Sequence, residues 1–416
     1  MFKLAHISDP HAGYKATSLV NAQGINLREA DGYLALSRII TEIIEEGVDA
    51  TVWAGDTFHQ PSPDIRTIIF VQNQLRRLWS AGIPAYLLAG NHDTNDIRAD
   101  IAASRVLHDP WRKIFSHAEP YVTHEIADGI HLHMVSHHMY GEQADTMKLV
   151  KPVDGEINIL STHGSIFDKY LHETLHAEQS PREIVIPPTL LDDHNWSYSL
   201  FGHIHERGWV GSTDGMTDTA KSKIYYNGST IRRGFSDKEA KLGRGWTLWT
   251  IDESGAFTAD VRTIAQRPQY DFATIDAKNL NASDITEQIL SNLQETQVNG
   301  TSFDARIAPI LRQTIINISP AKYQALDWGT IDKNTKHAMS WSVKHATLQP
   351  LSLKQQNREL PEHLQGFDNS DVVKGYDEWV NTAPSLQGVE TTTKERIVEQ
   401  ARNFVKLGKE ETLESE

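Results

Sequence analysis

Five short apolar segments of the sequence each end just before residues of the types that bind metal ions. The segments are Phe2–Ile7, Val48–Ala54, Ala85–Ala89, Ile157–Leu160 and Tyr198–Phe201. The motifs that follow them, in the same order, are D-P-H at 9–11, G-D at 55–56, G-N-H-D at 90–93, the histidine of STHGS at 163 and G-H-I-H at 202–205. Short apolar runs bounded by such residues favour buried β-strands. The sequence therefore predicts a sheet that carries polar groups at its strand ends.

Two amphipathic helices are predicted between the first three strands. Residues 28–46 place Tyr33, Leu36, Ile40 and Ile43 on one helical face. Residues 64–81 carry apolar and amide side chains at the same helical spacing, namely Ile65, Ile68, Ile69, Gln72, Leu75 and Trp79. The resulting βαβαβ order is typical of a layered α/β domain with a central sheet.

Later strands follow one another with fewer helices between them, which predicts a mixed sheet or a second sheet. Such strands are predicted at Ile130–Val135, Lys223–Asn227 and Trp246–Ile251. We predict five regions along the chain: an α/β domain over 1–265, a small α+β domain over 266–345, a polar linker over 346–369, two short amphipathic helices over 370–407 and a charged tail over 408–416.

Composition narrows the chemistry that this chain can perform. It has no cysteine, so any metal must be held by His, Asp, Glu or Asn. The formal net charge of −15 disfavours an extended phosphate-binding face, unless bound cations or a partner subunit supply positive charge. The sequence contains no apolar run of 18 residues and its start lacks a secretory pattern, so we expect a cytoplasmic protein.

The strand-end motifs together predict one metal site. A single Asp after a strand is more often a turn or helix-cap residue, and a single His is more often a structural group. Ligands of α/β sheets lie beyond the carboxyl ends of the strands, however, and five strand ends here offer ligand types to one place. A two-metal hydrolytic site needs such a set, including a carboxylate that bridges the ions.

The order D-x-H, G-D, G-N-H-D, H, G-H-x-H resembles that of the calcineurin-like metallophosphoesterases. Within that superfamily the chain resembles SbcD-type nuclease subunits, the prokaryotic counterpart of the eukaryotic double-strand-break repair nuclease. The stretches that carry the resemblance are HISDPHAGYK, WAGDTFHQPSP, LLAGNHD, STHGS, FGHIHE and YYNGSTIRRGF. It covers residues 1 to about 265 well and the later segments less well. It implies an α/β metallophosphoesterase fold, in which helices flank a central mixed β-sandwich, with an α+β capping domain and C-terminal helices.

The resemblance also implies a role for each matching residue. Asp56 would bridge two divalent ions, usually manganese in this family. The remaining ligands would divide between the two ions, with Asp9, His11 and His205 on one and Asn91, His163 and His203 on the other.

Other matching residues would act beside the metals. His92 would face the scissile phosphate without binding metal, and Asp93 would orient a neighbouring group. His59 would lie near the substrate strand, or else would be an exposed residue at a helix entry. Arg232 and Arg233 would touch DNA phosphates, or else would belong to a solvated charged hairpin.

The implied function is that of a metal-dependent DNA nuclease, with exonuclease action on duplex ends and endonuclease action on single strands. The implied partners are DNA, an SbcC-type coiled-coil ATPase bound by the C-terminal helices, and a second copy of the chain bound through the catalytic domain. The alternatives are a phosphoesterase for a small phosphodiester, a nucleotide or a phosphoprotein, and an inactive scaffold. G-N-H-D in place of G-N-H-E argues against a protein phosphatase, and the intact ligand set argues against a scaffold.

Overall fold

The fold is a sandwich of two mixed β-sheets, seen in a computed structural model. The structure describes residues 1–94, 102–136, 150–166, 185–186, 190–191, 195–210, 223–235, 242–297 and 305–347. Within these residues the first sheet has six strands, in spatial order β14 (Phe257–Thr263), β13 (Gly245–Ile251), β1 (Phe2–Ile7), β2 (Ala50–Trp53), β3 (Ala85–Leu88) and β4 (Ile114–His117). The first four strands along the chain run parallel, and β13 pairs antiparallel with β1.

The second sheet also has six strands within the described residues. Their order is β11 (Gly208–Trp209), β12 (Ile224–Tyr226), β10 (Tyr198–Gly202), β7 (Ile157–His163), β6 (Ile130–Val135) and β5 (Tyr121–Ala127). Strands β6, β7, β10 and β12 are parallel. A short parallel pair, β8 (Ser165–Ile166) with β9 (Val185–Ile186), lies outside both sheets. The predicted α/β sandwich of mixed sheets is confirmed.

Alternate residues of the central strands serve two different cores. Leu4 of β1 and Leu200 of β10 contribute to the apolar layer between the two sheets. Their neighbours Ala5 and Phe201 point the other way, into the layers that cover the outer faces. Strands buried on both faces read as continuous apolar runs, which is why the sequence shows no alternation there.

Two helices cover the outer face of the first sheet. Helix α1 (Leu27–Glu46) begins at Asn26, whose side chain accepts hydrogen bonds from two backbone N–H groups, and ends at Gly47 in the left-handed region. Helix α2 (Ile65–Ser80) begins at Asp64, which caps the N–H of Thr67.

The periodic apolar residues of α2 are not its buried face. Leu75 is buried, together with Thr67, Val71, Gln74 and Leu78. Ile65, Ile69 and Trp79 are 75%, 50% and 44% exposed. The sequence pattern therefore identified this helix correctly but not the side that packs on the sheet.

A third sheet follows, built from β15 (Gln269–Asp276), β16 (Ile310–Ile318) and β17 (Ser340–Thr347). Helix α3 (Ala282–Glu295) begins with a capping box between Asn281 and Asp284. Two short helices, α4 (Pro320–Gln324) and α5 (Trp328–Asn334), lie between β16 and β17. The predictions for residues 348–416, including the two C-terminal helices, concern a part of the chain outside the described residues.

The chain divides into two compact units. The first contains Met1–Ile275, Asn281–Thr314 and Leu326–Lys344, and the second contains Asp276–Leu280, Ile315–Ala325 and the chain from His345. Within the first unit, Arg267 makes a bidentate ion pair with Asp31 of α1 and donates to the carbonyls of Ala305 and Ala308. This arginine joins the α1 side of the sandwich to the segment before β16. The predicted domain boundaries stay predictions.

Candidate metal centre

All seven predicted metal ligands converge at the carboxyl ends of five strands. The backbone there is held in an unusual conformation. Asp9, His11, Asp56 and His203 have φ values of 49°, 44°, 51° and 96°, in the left-handed region that non-glycine residues rarely adopt. Such strain persists only where the surrounding structure fixes it, and it concentrates at functional sites.

One group of ligand atoms surrounds His11. Its Nε2 lies 3.0 Å from Nε2 of His205, and each of these nitrogens lies 3.8 Å from Oδ1 of Asp9. The carboxylate of Asp9 is itself held by the backbone N–H of His203, at 3.1 Å from both oxygens. These three side chains are the set predicted to share one ion.

A second group surrounds Asn91. Its Oδ1 lies 2.9 Å from Nε2 of His163 and 3.0 Å from Nδ1 of His203. The ring of His163 is fixed because its Nδ1–H donates to the carbonyl of Ala54 at 2.8 Å, which turns Nε2 toward Asn91. This second group is the set predicted to share the other ion.

Asp56 lies between the two groups. Its Oδ2 is 3.5 Å from Nε2 of His11 and 3.4 Å from Nε2 of His163. It is 1% exposed, so its charge is out of reach of bulk water. A single carboxylate positioned against both groups is what a bridging ligand requires.

The electrostatics of the site suit cations. Burial lowers the pKa of His11 and His205 well below the usual value, and the guanidinium of Arg233 lowers it further. Burial likewise brings the pKa of His203 to about 4, so these three rings are neutral and keep a lone pair for a metal. Burial alone would raise the pKa of Asp56, yet the neighbouring histidines hold it well below its usual range.

The pKa of His163 reports the buried negative charge. Burial alone would lower its pKa, but the carboxylates of Asp56 and Asp9 and the carbonyl of Ala54 raise it to about 9. A positive charge beside these carboxylates is therefore favourable. The donor set of carboxylates, imidazoles and one amide oxygen fits two divalent ions, which would supply such charge.

His92 is oriented toward this centre without joining either group. Its backbone N–H donates to Oδ1 of Asp56 at 2.8 Å, and its ring Nδ1 lies 2.8 Å from the carbonyl of His59. Because a carbonyl only accepts, Nδ1 carries a hydrogen and Nε2 is the nitrogen left for other contacts. The ring packs edge-on against His11, with centroids 4.7 Å apart.

Asp93 holds two of the loops together. Its buried carboxylate accepts hydrogen bonds from the backbone N–H groups of Thr57, Phe58 and Gly90. Burial and, to a smaller extent, the nearby Asp56 raise its pKa to about 7. Asp93 therefore holds the backbone of the loop that carries Asp56, and these hydrogen bonds involve no side chain of a predicted ligand.

His59 is half-buried and packs among other rings. Its centroid lies 5.4 Å from that of His92 and 5.0 Å from that of Tyr14. Helix α2 begins at Ile65, so His59 does not lie at the helix entry. A third cluster with metal-ligand geometry, formed by His11, His59 and His92, was not anticipated from the sequence.

The two neighbouring arginines have different surroundings. Arg232 is turned to the backbone, where its guanidinium donates to the carbonyls of Gly234 and Gln269. Arg233 faces the metal centre, with Nη1 3.4 Å from Nε2 of His205 and its guanidinium 4.6 Å from the ring centre of Tyr14. Both are half-buried. The sequence reasoning missed Tyr14, and its only signal was its place in the D-P-H-A-G-Y stretch.

Known proteins resemble this chain in sequence. Residues 2–207 match the family model described as calcineurin-like phosphoesterase. The chain is 26% identical over 300 residues to the DNA double-strand break repair protein Mre11 of Saccharolobus solfataricus, covering 69% of each protein. It is 24% identical over 342 residues to the Mre11 of Haloferax volcanii, covering 78% of this chain and 64% of that protein. The chain thus spans about two thirds of the length of these relatives.

Solved structures give weaker matches. A dimetal phosphatase from Danio rerio aligns with a TM-score of 0.38 and 12% identity, covering 61% of this chain and 93% of that one. The nuclease MPE of Pseudomonas putida aligns with a TM-score of 0.26 and 15% identity, covering 59% and 83%.

Gly90 provides a test of the metal centre that changes no ligand. A Cβ at this position would lie 2.2 Å from Oδ1 of Asp56 and 2.4 Å from its backbone nitrogen. We expect Gly90→Ala to displace the central carboxylate and to lower the bound divalent metal measured by elemental analysis and calorimetry. Gly32→Ala is the matched control, because its Cβ would meet only Ile231 Cδ1 at 3.8 Å. Full metal binding by Gly90→Ala would contradict the central position of Asp56.

Proposed function

We propose that this chain, whose residues 2–207 form a calcineurin-like phosphoesterase domain, is a two-metal-dependent DNA nuclease acting in double-strand-break repair. The observation that carries the proposal is the place of Asp56 between two groups of ligand atoms. The relatives that match over most of the chain are named as double-strand break repair proteins. The same ligands would serve a small phosphodiester, which is the alternative. Comparing rates on linear duplex DNA, single strands and cyclic nucleotides separates the two.

The residues of the site suit phosphodiester hydrolysis. Asp9, His11 and His205 would hold one ion, and Asn91, His163 and His203 the other, with Asp56 between them. Two divalent ions, manganese in this proposal, supply an activated water and offset charge on the attacked and leaving oxygens. With a second proton on its ring, His92 would present Nε2–H toward the phosphate, where it would stabilise negative charge or give that proton to the leaving oxygen.

Substitutions of His92 and of Asp56 should differ in their effect on the amount of bound metal. His92→Ala should keep both ions and the fold while turnover falls roughly 10²–10⁴-fold, the usual contribution of an acid–base group. Asp56→Asn should lose both hydrolysis and metal, because one carboxylate serves both groups. Turnover of a chromogenic phosphodiester together with elemental analysis measures both effects. Loss of metal from His92→Ala would make this histidine a ligand and overturn the division of roles.

We further propose that the chain forms a homodimer through its catalytic domain. The exposed face of α2 supports this, because Ile65, Ile69 and Trp79 repeat at positions i, i+4 and i+14 along one stripe of the helix. Gln72 and Arg76 lie between Ile69 and Trp79 on this face, so the proposed contact centres on Ile65 and Ile69 at the start of the helix. A second copy of the same helix offers the complementary apolar stripe that a two-fold interface needs.

Ile69→Glu should convert the dimer to a monomer, since it places a charge within the apolar stripe. Sedimentation of the purified chain measures the change. Leu34→Glu is the matched control, because Leu34 is 51% exposed on α1. An unchanged sedimentation coefficient for Ile69→Glu would exclude α2 from the interface.

The C-terminal region is proposed to bind an SbcC-type coiled-coil ATPase. In the sequence, residues 370–407 carry two apolar stripes, and Trp379 and Phe404 are the proposed anchors. The resulting complex would degrade duplex ends as an exonuclease, cut single strands as an endonuclease, and act in repair, recombination or replication.

Within the described residues no helix is long and apolar enough to span a bilayer. We propose that the complex acts on DNA in the cytoplasm or nucleoid.

Removal of the residues from 370 onward tests this proposal. The shortened chain should keep manganese-dependent cleavage of single strands, because no proposed ligand lies beyond residue 205. It should lose co-purification with the ATPase and any ATP-stimulated degradation of duplex DNA. Undiminished affinity of the shortened chain for the ATPase would place the docking surface elsewhere.

A further inference from the structure

A cavity of about 220 Å³ opens beside the metal centre. It lies within the first compact unit, between the loop after β1, the loop after β12 and the third sheet. Among the residues that line it are Tyr14, Arg233, Phe235, Ile310, Met339 and Ser340. It is smaller than the roughly 300–1,000 Å³ of pockets that take drug-sized ligands, so it holds one small ring system and not a stretch of duplex.

Arg233 gives this cavity an available positive charge. Its recorded contacts are Nε2 of His205 and the ring of Tyr14, and no carboxylate pairs with it among the described residues. Nearby arginines differ, because Arg28 and Arg267 are both paired with Asp31. A metal ion on Nε2 of His205 would take that lone pair, which leaves the guanidinium to an anion. Because the chain has a net charge of −15, an arginine without a carboxylate partner contributes strongly to the local attraction of a phosphate.

The other walls suit a flat ring with polar edges. Tyr14 and Phe235 are aromatic, Ile310 and Met339 are apolar, and Ser340 offers a hydroxyl. The ring of Phe235 is backed by the guanidinium of Arg312 at 4.3 Å, and a bidentate ion pair with Asp271 holds that guanidinium in place. Aromatic walls beside a cation are the usual means of binding an unstacked base and its phosphate.

We infer that this cavity binds one unstacked nucleoside of the DNA strand, with Arg233 on the phosphate that joins it to the scissile position. The inference rests on the proposed nuclease function and deepens it. It makes the preferred substrate a strand that is single or frayed next to the cut, because a base must leave the stack to enter the cavity.

The test compares two short oligonucleotides bound by the full chain. One is a fluorescently labelled run of thymidines, and the other carries a single abasic residue in the middle. Dissociation constants are measured by anisotropy with divalent metal present, and both strands carry phosphorothioate linkages so that cleavage is slow on the time scale of the measurement. We expect the abasic strand to bind roughly 5-fold to 150-fold more weakly, the range for loss of one stacked base. Equal affinities for the two strands would overturn the inference.

Ser340→Leu fills the cavity at a residue that touches no proposed ligand. It should bind both oligonucleotides with the same weakened affinity, while Val343→Leu, on the opposite face of β17, keeps the wild-type preference. Hydrolysis of bis(p-nitrophenyl) phosphate, which has no nucleoside, should be unchanged in Val343→Leu. Retained discrimination by Ser340→Leu would exclude this cavity as the base site.

Tyr14 provides a second pair of variants that does not depend on Ser340→Leu folding. Tyr14→Phe should keep the preference for the intact strand, and Tyr14→Leu should lose most of it, because only the former retains the ring. A protein that discriminates between the strands but hydrolyses neither DNA nor the chromogenic ester would refute the nuclease function and leave the base site standing. A protein that hydrolyses DNA and the chromogenic ester but binds both strands equally would refute the base site and leave the nuclease function standing.

Discussion

The buried charge of Asp56 is the constraint on which the rest of the centre depends. A carboxylate that is 1% exposed is costly unless cations or hydrogen-bond donors surround it. Here the surrounding groups come from both sheets, since His11 follows β1 and His163 ends β7. The hydrogen bond from His163 to the carbonyl of Ala54 joins the same two sheets at their carboxyl ends. The packing of the sandwich and the arrangement of the candidate metal centre therefore depend on the same contacts.

The close contacts around Asp56 explain why a glycine comes directly before Asn91 and another directly before His203 in the sequence. A Cβ at Gly90 or Gly202 would overlap Asp56 or the carbonyl of Ala54. The loops can then approach near enough for one carboxylate to meet two groups of ligands. Asp93 secures this arrangement by accepting three backbone hydrogen bonds from the loops at Thr57 and Gly90. A rigid backbone of this kind holds ligands in place before any ion binds.

Arg233 connects the metal centre to its surroundings. It lies against His205 on one side and Tyr14 on the other, and it lines the cavity that extends to the third sheet. Its positive charge helps to keep His11 and His205 neutral, which favours their role as ligands. The same side chain thus connects the candidate metal centre with the cavity that we infer to bind a nucleoside.

The sequence by itself predicted both long helices and most strands of the sandwich, because strand-end motifs and apolar runs are local features, but it did not predict β4, β5, β11 or β14. The assignment of the seven candidate ligands stays a prediction that rests on the family resemblance. The sequence did not determine which face of α2 packs, since Ile65 and Trp79 keep helical spacing although they face solvent. Only the tertiary structure decided the contact between Tyr14 and Arg233, residues more than 200 positions apart. It also decided that Arg232 contacts backbone carbonyls while Arg233 contacts His205. The reason is that loop geometry sets the direction of adjacent side chains, and local composition does not.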